Sequence, residues 1–138
     1  MILSMKAVIL AIRFKTLIAS ISPVVLASSL SFKFGEFNVS LFYFILFSSI
    51  FIQIGTNFAN DVYDYINGAD NEDRLGPTRV VQAQLISINK MKFLTFVAFL
   101  LAVIFGFPLV LKGGYPILII GVLGIISGYL YTAGPYPL

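Results

Sequence analysis

The chain has 138 residues, of which 59% are hydrophobic and only 11% charged, with a net charge of +3 and neither cysteine nor histidine. With a mean hydropathy of +0.97, this is the composition of a membrane protein with no room for a separate soluble domain. It excludes disulfides, thiolate chemistry and imidazole metal sites. The positive charges sit singly at the ends of apolar segments, so there is no nucleic-acid face either.

Four apolar runs, at about 17–32, 39–59, 93–111 and 115–133, each approach the roughly 20 residues that cross a bilayer. The first is preceded by basic residues and ends near the small residues Ala27, Ser28 and Ser29, the outline of a signal peptide. The three runs behind it favour an ordinary first membrane helix. Lys6, Arg13, Lys15, Arg74, Arg79, Lys90 and Lys92 fall on one side of these spans, and only Lys33 and Lys112 on the other. The positive-inside rule therefore places the N-terminus and the long second loop in the cytoplasm, with short outer turns near Gly35 and Gly113. Arg13 and Lys15 read as anchors of the first span.

The loop between the second and third spans, about 65–92, is too long for a simple connector. Gly68, Gly76 and Pro77 divide it. Its 78–88 portion alternates Val80, Val81, Leu85 and Ile86 with polar residues, the pattern of a short amphipathic helix on the membrane surface. Such a helix serves equally as a lid or as an anchor. In the fourth span Gly124 and Gly128 have the spacing that lets two helices approach closely, which predicts packing inside a bundle. The expected architecture is an all-α, multi-pass transmembrane bundle of about four helices, forming one domain over 1–138.

The chemistry concentrates between Gln53 and Ser87, where five of the six carboxylates lie. If the second span stays helical through Asp64, then Asn57, Asn60, Asp61 and Asp64 share an arc of about 100°. Two carboxylates one turn apart repel unless a positive group lies between them. Magnesium suits that place, since it takes oxygen ligands from one or two carboxylates together with water and phosphate. Asp61, Asp64 and Asn57 are the candidate ligands, with Asn60 in support and Gln53 one turn deeper. A solvated helix end explains one or two such residues but not four on one face. Arg74 and Arg79 supply forked donors suited to phosphate, although the positive-inside rule alone also places arginines here. Asp70, Glu72 and Asp73 either pair with these arginines, solvate the loop or complete a metal site. Tyr63, Tyr65 and the phenylalanines either line a channel for an apolar tail, shield a developing cation with their ring faces, or pack towards lipid.

The runs NFANDVYDYINGAD and RLGPTRVVQAQLIS resemble the first aspartate-rich motif and cytoplasmic loop of the intramembrane aromatic prenyltransferases. Within them they are most similar to the 1,4-dihydroxy-2-naphthoate polyprenyltransferases of menaquinone synthesis. RFKTLIASISPVV and YTAGPYPL, at either end, resemble the family's opening helix and the end of its fourth. The resemblance implies a membrane enzyme that transfers a polyprenyl group from polyprenyl diphosphate to an aromatic acceptor. It makes Asp61 and Asp64 the magnesium-binding catalytic pair, with Asn57 and Asn60 supporting and Arg74 and Arg79 on the diphosphate. It also marks a departure: family members are about twice as long, with a second aspartate-rich motif, whereas no carboxylate follows Lys92 here. The expectation is an incomplete site, the N-terminal half of such an enzyme, with a possible second chain supplying the rest. Two other classes compete. A membrane alcohol phosphotransferase lacks support because its DG-x2-AR pattern is absent. A non-catalytic metal- or anion-binding membrane subunit remains the alternative.

Overall fold

The computed structural model describes residues 4–68 and 79–133. Within them lie four helices, α1 (Met5–Ile12), α2 (Phe14–Lys33), α3 (Val39–Ile66) and α4 (Ile88–Ala133), and no strand. The last three are long and apolar enough to cross a membrane. At about 1.5 Å per residue the 46 residues of α4 would extend to about 69 Å, more than twice a hydrocarbon core of about 30 Å. Gly114, at φ 69° and ψ −156°, breaks it into two arms. Only a residue without a β-carbon takes up that conformation readily.

The pairings along α3 show that the chain reverses there. On the first arm, Gly106 faces the Ser48 hydroxyl, Phe51 stacks on Phe105 and Gly55 faces the Phe99 ring. Rising numbers on α3 meet falling numbers on the arm, so the two run antiparallel. On the second arm, Ile52 lies against Gly124, Thr56 against Gly128 and Asn60 against Thr132, so this arm runs parallel to α3. The expected third and fourth spans are thus these two arms, and Gly124 and Gly128 do face a neighbouring helix. On its other side α3 meets α2, where the Ser49 hydroxyl donates to the Ser20 carbonyl at 3.1 Å.

Local signals bound α3. The Asn38 side chain accepts from the Leu41 amide at 3.0 Å and caps its start. Gly68, at φ 71°, turns the chain away after its end. Along most of their length the helices leave large apolar side chains uncovered, including Leu26, Phe96 and Ile120. Lipid solvates such faces as well as a protein core would. The buried core sits instead at the end of the bundle that carries the polar motif. There Ala7, Ala11, Phe58, Val62, Val80, Val81, Ile86, Met91 and Ala98 pack together.

That core corrects the expected surface helix over 78–88. Residues 80–84 form a single tight turn, and Val80, Val81 and Ile86 are buried rather than lying on a membrane surface. Gln84, at φ 55°, stops the turn from propagating. The Leu85 amide then donates to the Val80 carbonyl and the Gln84 amide to the Val81 carbonyl, both at 3.0 Å, the paired bonds that close a helix end. Burying three branched apolar side chains outweighs whatever amphipathic pattern the segment carries.

Candidate functional site at the end of α3

The last turns of α3 carry Asn57, Asn60, Asp61 and Asp64, and the helix does run unbroken through all four. Asn57 and Asp61 are buried, while Asn60 and Asp64 are partly so. Their partners fan out according to angular position. Asn60, at one edge, accepts from the Thr132 hydroxyl at 2.8 Å and so faces the second arm of α4. Asn57, Asp61 and Asp64 turn to the opposite side, towards the α1–α2 junction and the 79–84 turn.

Asp61 is 1% exposed, yet its carboxylate is well provided for. One oxygen accepts from the Val80 amide at 3.1 Å and the Val81 amide at 3.3 Å; the other lies 3.2 Å from the Val80 amide and 3.7 Å from the Arg13 guanidinium. Asp64 forms an ion pair with Arg79, whose side chain is buried. Arg79 is therefore where the sequence reading put it, beside the aspartates. Arg74, Asp70, Glu72 and Asp73 lie outside the described residues.

Asn57 is occupied differently from the expected ligand role. Its amide nitrogen donates to the Ile12 carbonyl at 2.7 Å and to the Thr16 hydroxyl at 2.8 Å. Its oxygen accepts from the Gln53 amide at 3.3 Å. Gln53 thus serves Asn57 from one turn deeper.

Arg13 is the residue whose place the sequence reading missed. It stands between α1 and α2 in the left-handed region, at φ 54° and ψ 66°, and its side chain points at Asp61 instead of merely anchoring a span. Arginine has no particular liking for that conformation, so nothing local announces the break. The one available signal is the basic pair Arg13 and Lys15 interrupting apolar runs on both sides.

On the outer flank a second polar seam joins α3 to α4. The Tyr63 and Tyr129 hydroxyls are hydrogen-bonded and their rings meet edge to face, while Lys92 lies over the Tyr63 ring. The Asn67 amide donates to the Thr132 carbonyl at 3.2 Å. Tyr63 thereby holds the helices together.

The donor chemistry fits a hard divalent cation in one respect: two carboxylates one helical turn apart offer only oxygen. Among the described residues no third carboxylate, histidine or cysteine joins them. Further ligands would be water and substrate oxygens, the usual arrangement for magnesium. The positive groups that now neutralise Asp61 and Asp64 are also the groups a diphosphate would attract.

The model of the UbiA prenyltransferase family matches residues 17–138. The chain is 31% identical over 123 residues to the 1,4-dihydroxy-2-naphthoate octaprenyltransferase of Bacillus subtilis, covering 89% of this chain and 40% of that one. It is 30% identical over 132 residues to the protein of the same name from Escherichia coli, covering 91% and 43%. The counterpart from Haemophilus influenzae is 29% identical over 131 residues, covering 89% and 42%. The chain thus spans about two-fifths of the length of these relatives. No solved structure matches it.

Proposed function

Because the chain belongs to the UbiA prenyltransferase family, we propose that it carries the diphosphate-binding part of a magnesium-dependent polyprenyl transfer to an aromatic acceptor. The observation that supports this most is the buried, charge-matched cluster of Asp61, Asp64, Arg13 and Arg79 at the end of membrane helices. Ionisable groups in such a position are expensive and usually functional. By the names of the relatives, the acceptor is 1,4-dihydroxy-2-naphthoate and the group transferred is an octaprenyl chain, which the family implies is carried by a polyprenyl diphosphate. This makes the reaction a step of menaquinone synthesis, at the cytoplasmic face of the membrane.

Asp61 and Asp64 would hold a magnesium ion, which would supply charge neutralisation at the diphosphate, and Arg79, with Arg74, would take the diphosphate oxygens. In the reaction the allylic carbon–oxygen bond breaks, the electron pair leaves with the diphosphate, and the ring carbon of the acceptor forms the new bond as its carboxylate departs as carbon dioxide. Fixed positive charge aimed at the leaving oxygens lowers that barrier most, because it acts where charge develops. For Arg79 to serve, it exchanges its ion pair with Asp64 for one with phosphate. The apolar flanks of α2, α3 and α4 keep the prenyl tail in lipid.

A second reading is a membrane subunit of a split enzyme. In it this chain binds metal and diphosphate while another polypeptide completes the acceptor site. One experiment tests the shared core of both. The purified chain should bind a polyprenyl diphosphate more tightly with magnesium than without, and replacing both Asp61 and Asp64 by alanine should abolish that difference. An undiminished magnesium effect in the double variant would remove the metal assignment. Naphthoate prenylation assayed with this chain alone separates the first reading from the second.

A further inference from the structure

We infer that Asn57 is a positioning residue: it bolts the left-handed break at Arg13 in place and so sets the Arg13 guanidinium against Asp61. A residue with a β-carbon stays in the left-handed region only where its surroundings over-determine it. At Arg13 they do. Its own amide donates to the Leu10 carbonyl at 3.3 Å, and its carbonyl accepts from both the amide and the hydroxyl of Thr16 at 2.9 Å. The Asn57 amide straddles the break, bonding the Ile12 carbonyl just before it and the Thr16 hydroxyl just after it. Asn57 is 3% exposed, so no water competes for these contacts. Gln53 fixes which way the amide faces.

The consequence reaches the carboxylate through geometry. Asn57 and Asp61 are four residues apart on α3 and therefore neighbours on one face. The helix that presents Asp61 thus also holds the backbone that presents its counter-ion, and the separation of the two is set by one rigid element. Asn57 acts on the site through Arg13 and not as a metal ligand. The part of this inference that concerns metal binding rests on the function proposed above, whereas the part that concerns the hinge does not.

The test has a readout for each part, on the full chain in lipid nanodiscs. Modification of Arg13 by phenylglyoxal, followed by mass spectrometry of its peptide, reports whether the guanidinium is held. Asn57→Ala and Thr16→Val both leave the carboxylates intact, and each should speed Arg13 modification severalfold. Unchanged Arg13 reactivity in both variants would overturn the hinge role. Manganese binding in the presence of inorganic diphosphate, read by electron paramagnetic resonance, reports the site. There Asn57→Ala should weaken binding on the order of tenfold to a hundredfold, as outer partners of metal ligands do.

In an Arg13→Ala background the same change should add nothing further, because the two residues act in series. Additive losses would make Asn57 a direct ligand and defeat the inference. Asn57→Asp provides a second discriminator, since it offers a metal a stronger oxygen donor while deleting both donors to the hinge. Weaker manganese binding supports positioning, and tighter binding refutes it. If the parent chain shows no diphosphate-dependent manganese binding, the proposed function fails, and Arg13 reactivity alone decides the hinge role.

Discussion

Replacing Asp61 by alanine should destabilise the protein even with no metal or substrate present. The carboxylate accepts from the Val80 and Val81 amides, and both residues are nearly inaccessible, at 1% and 3% exposure. Each buried donor left without an acceptor costs about 1–3 kcal/mol. The ion pair with Arg13 adds less than about 1 kcal/mol, because the Arg13 side chain keeps 21% of its surface in solvent. The expected loss for Asp61→Ala is therefore about 2–7 kcal/mol. Asp61→Asn keeps one oxygen for the amides and should lose about half as much. Unfolding in mixed micelles with increasing dodecyl sulfate measures the stability. Hydrogen exchange at Val80 and Val81 shows whether the loss comes from the turn. An alanine variant within about 0.5 kcal/mol of the parent, with both amides still protected, would refute the reasoning.

Packing around the glycines of the bundle gives a second set of expectations. A β-carbon on Gly55 would stand 2.9 Å from the Phe99 ring, so Gly55→Ala should cost about 1–3 kcal/mol, with part recovered by Phe99→Leu in the same chain. Gly128→Val should separate the second arm of α4 from α3, because any β-carbon there meets the Thr56 hydroxyl, and loss of a disulfide engineered across that seam would register it. Gln84→Gly relieves the left-handed residue that closes the 80–84 turn and should stabilise by a few tenths to about 1 kcal/mol, whereas Gln84→Val should do the reverse; thermal denaturation distinguishes them. Arg79→Lys keeps the charge but loses the fork, and should weaken diphosphate binding about tenfold in calorimetry. Full retention would argue against a two-point contact.

The membrane-crossing segments were readable because apolar runs of that length have few other uses, and the Gly113–Gly114 pair between two of them already suggested a turn. The polar face of α3 was readable for the same reason: helical angle alone groups Asn57, Asp61 and Asp64. What sets their partners was not readable. Arg13 looked like any basic residue flanking a span, since the side chain that bridges its left-handed break, Asn57, comes from a distant helix. The 80–84 turn looked like a surface helix because Val80, Val81, Leu85 and Ile86 are mixed with polar residues, whereas the packing of Val80, Val81 and Ile86 with Phe58, Val62 and Met91 is a tertiary contact that no local pattern announces. Two amides of that turn then become the acceptor's partners, a backbone contribution that carries no residue-type signature.

The fold-back at Gly114 also bears on the order in which the protein is assembled. α3 is made early, but both of its α4 neighbours emerge late, and Asn60 waits for a partner 72 positions further along the chain. Until the second arm has been synthesised and swung alongside, the polar end of α3 has one flank bare to lipid. The two arms are therefore best delivered to the bilayer as a single hairpin, which shortens the interval during which the Asn60 and Asn67 amides stand without their seam. A delay between the arms would be a point at which quality control could recognise the nascent chain.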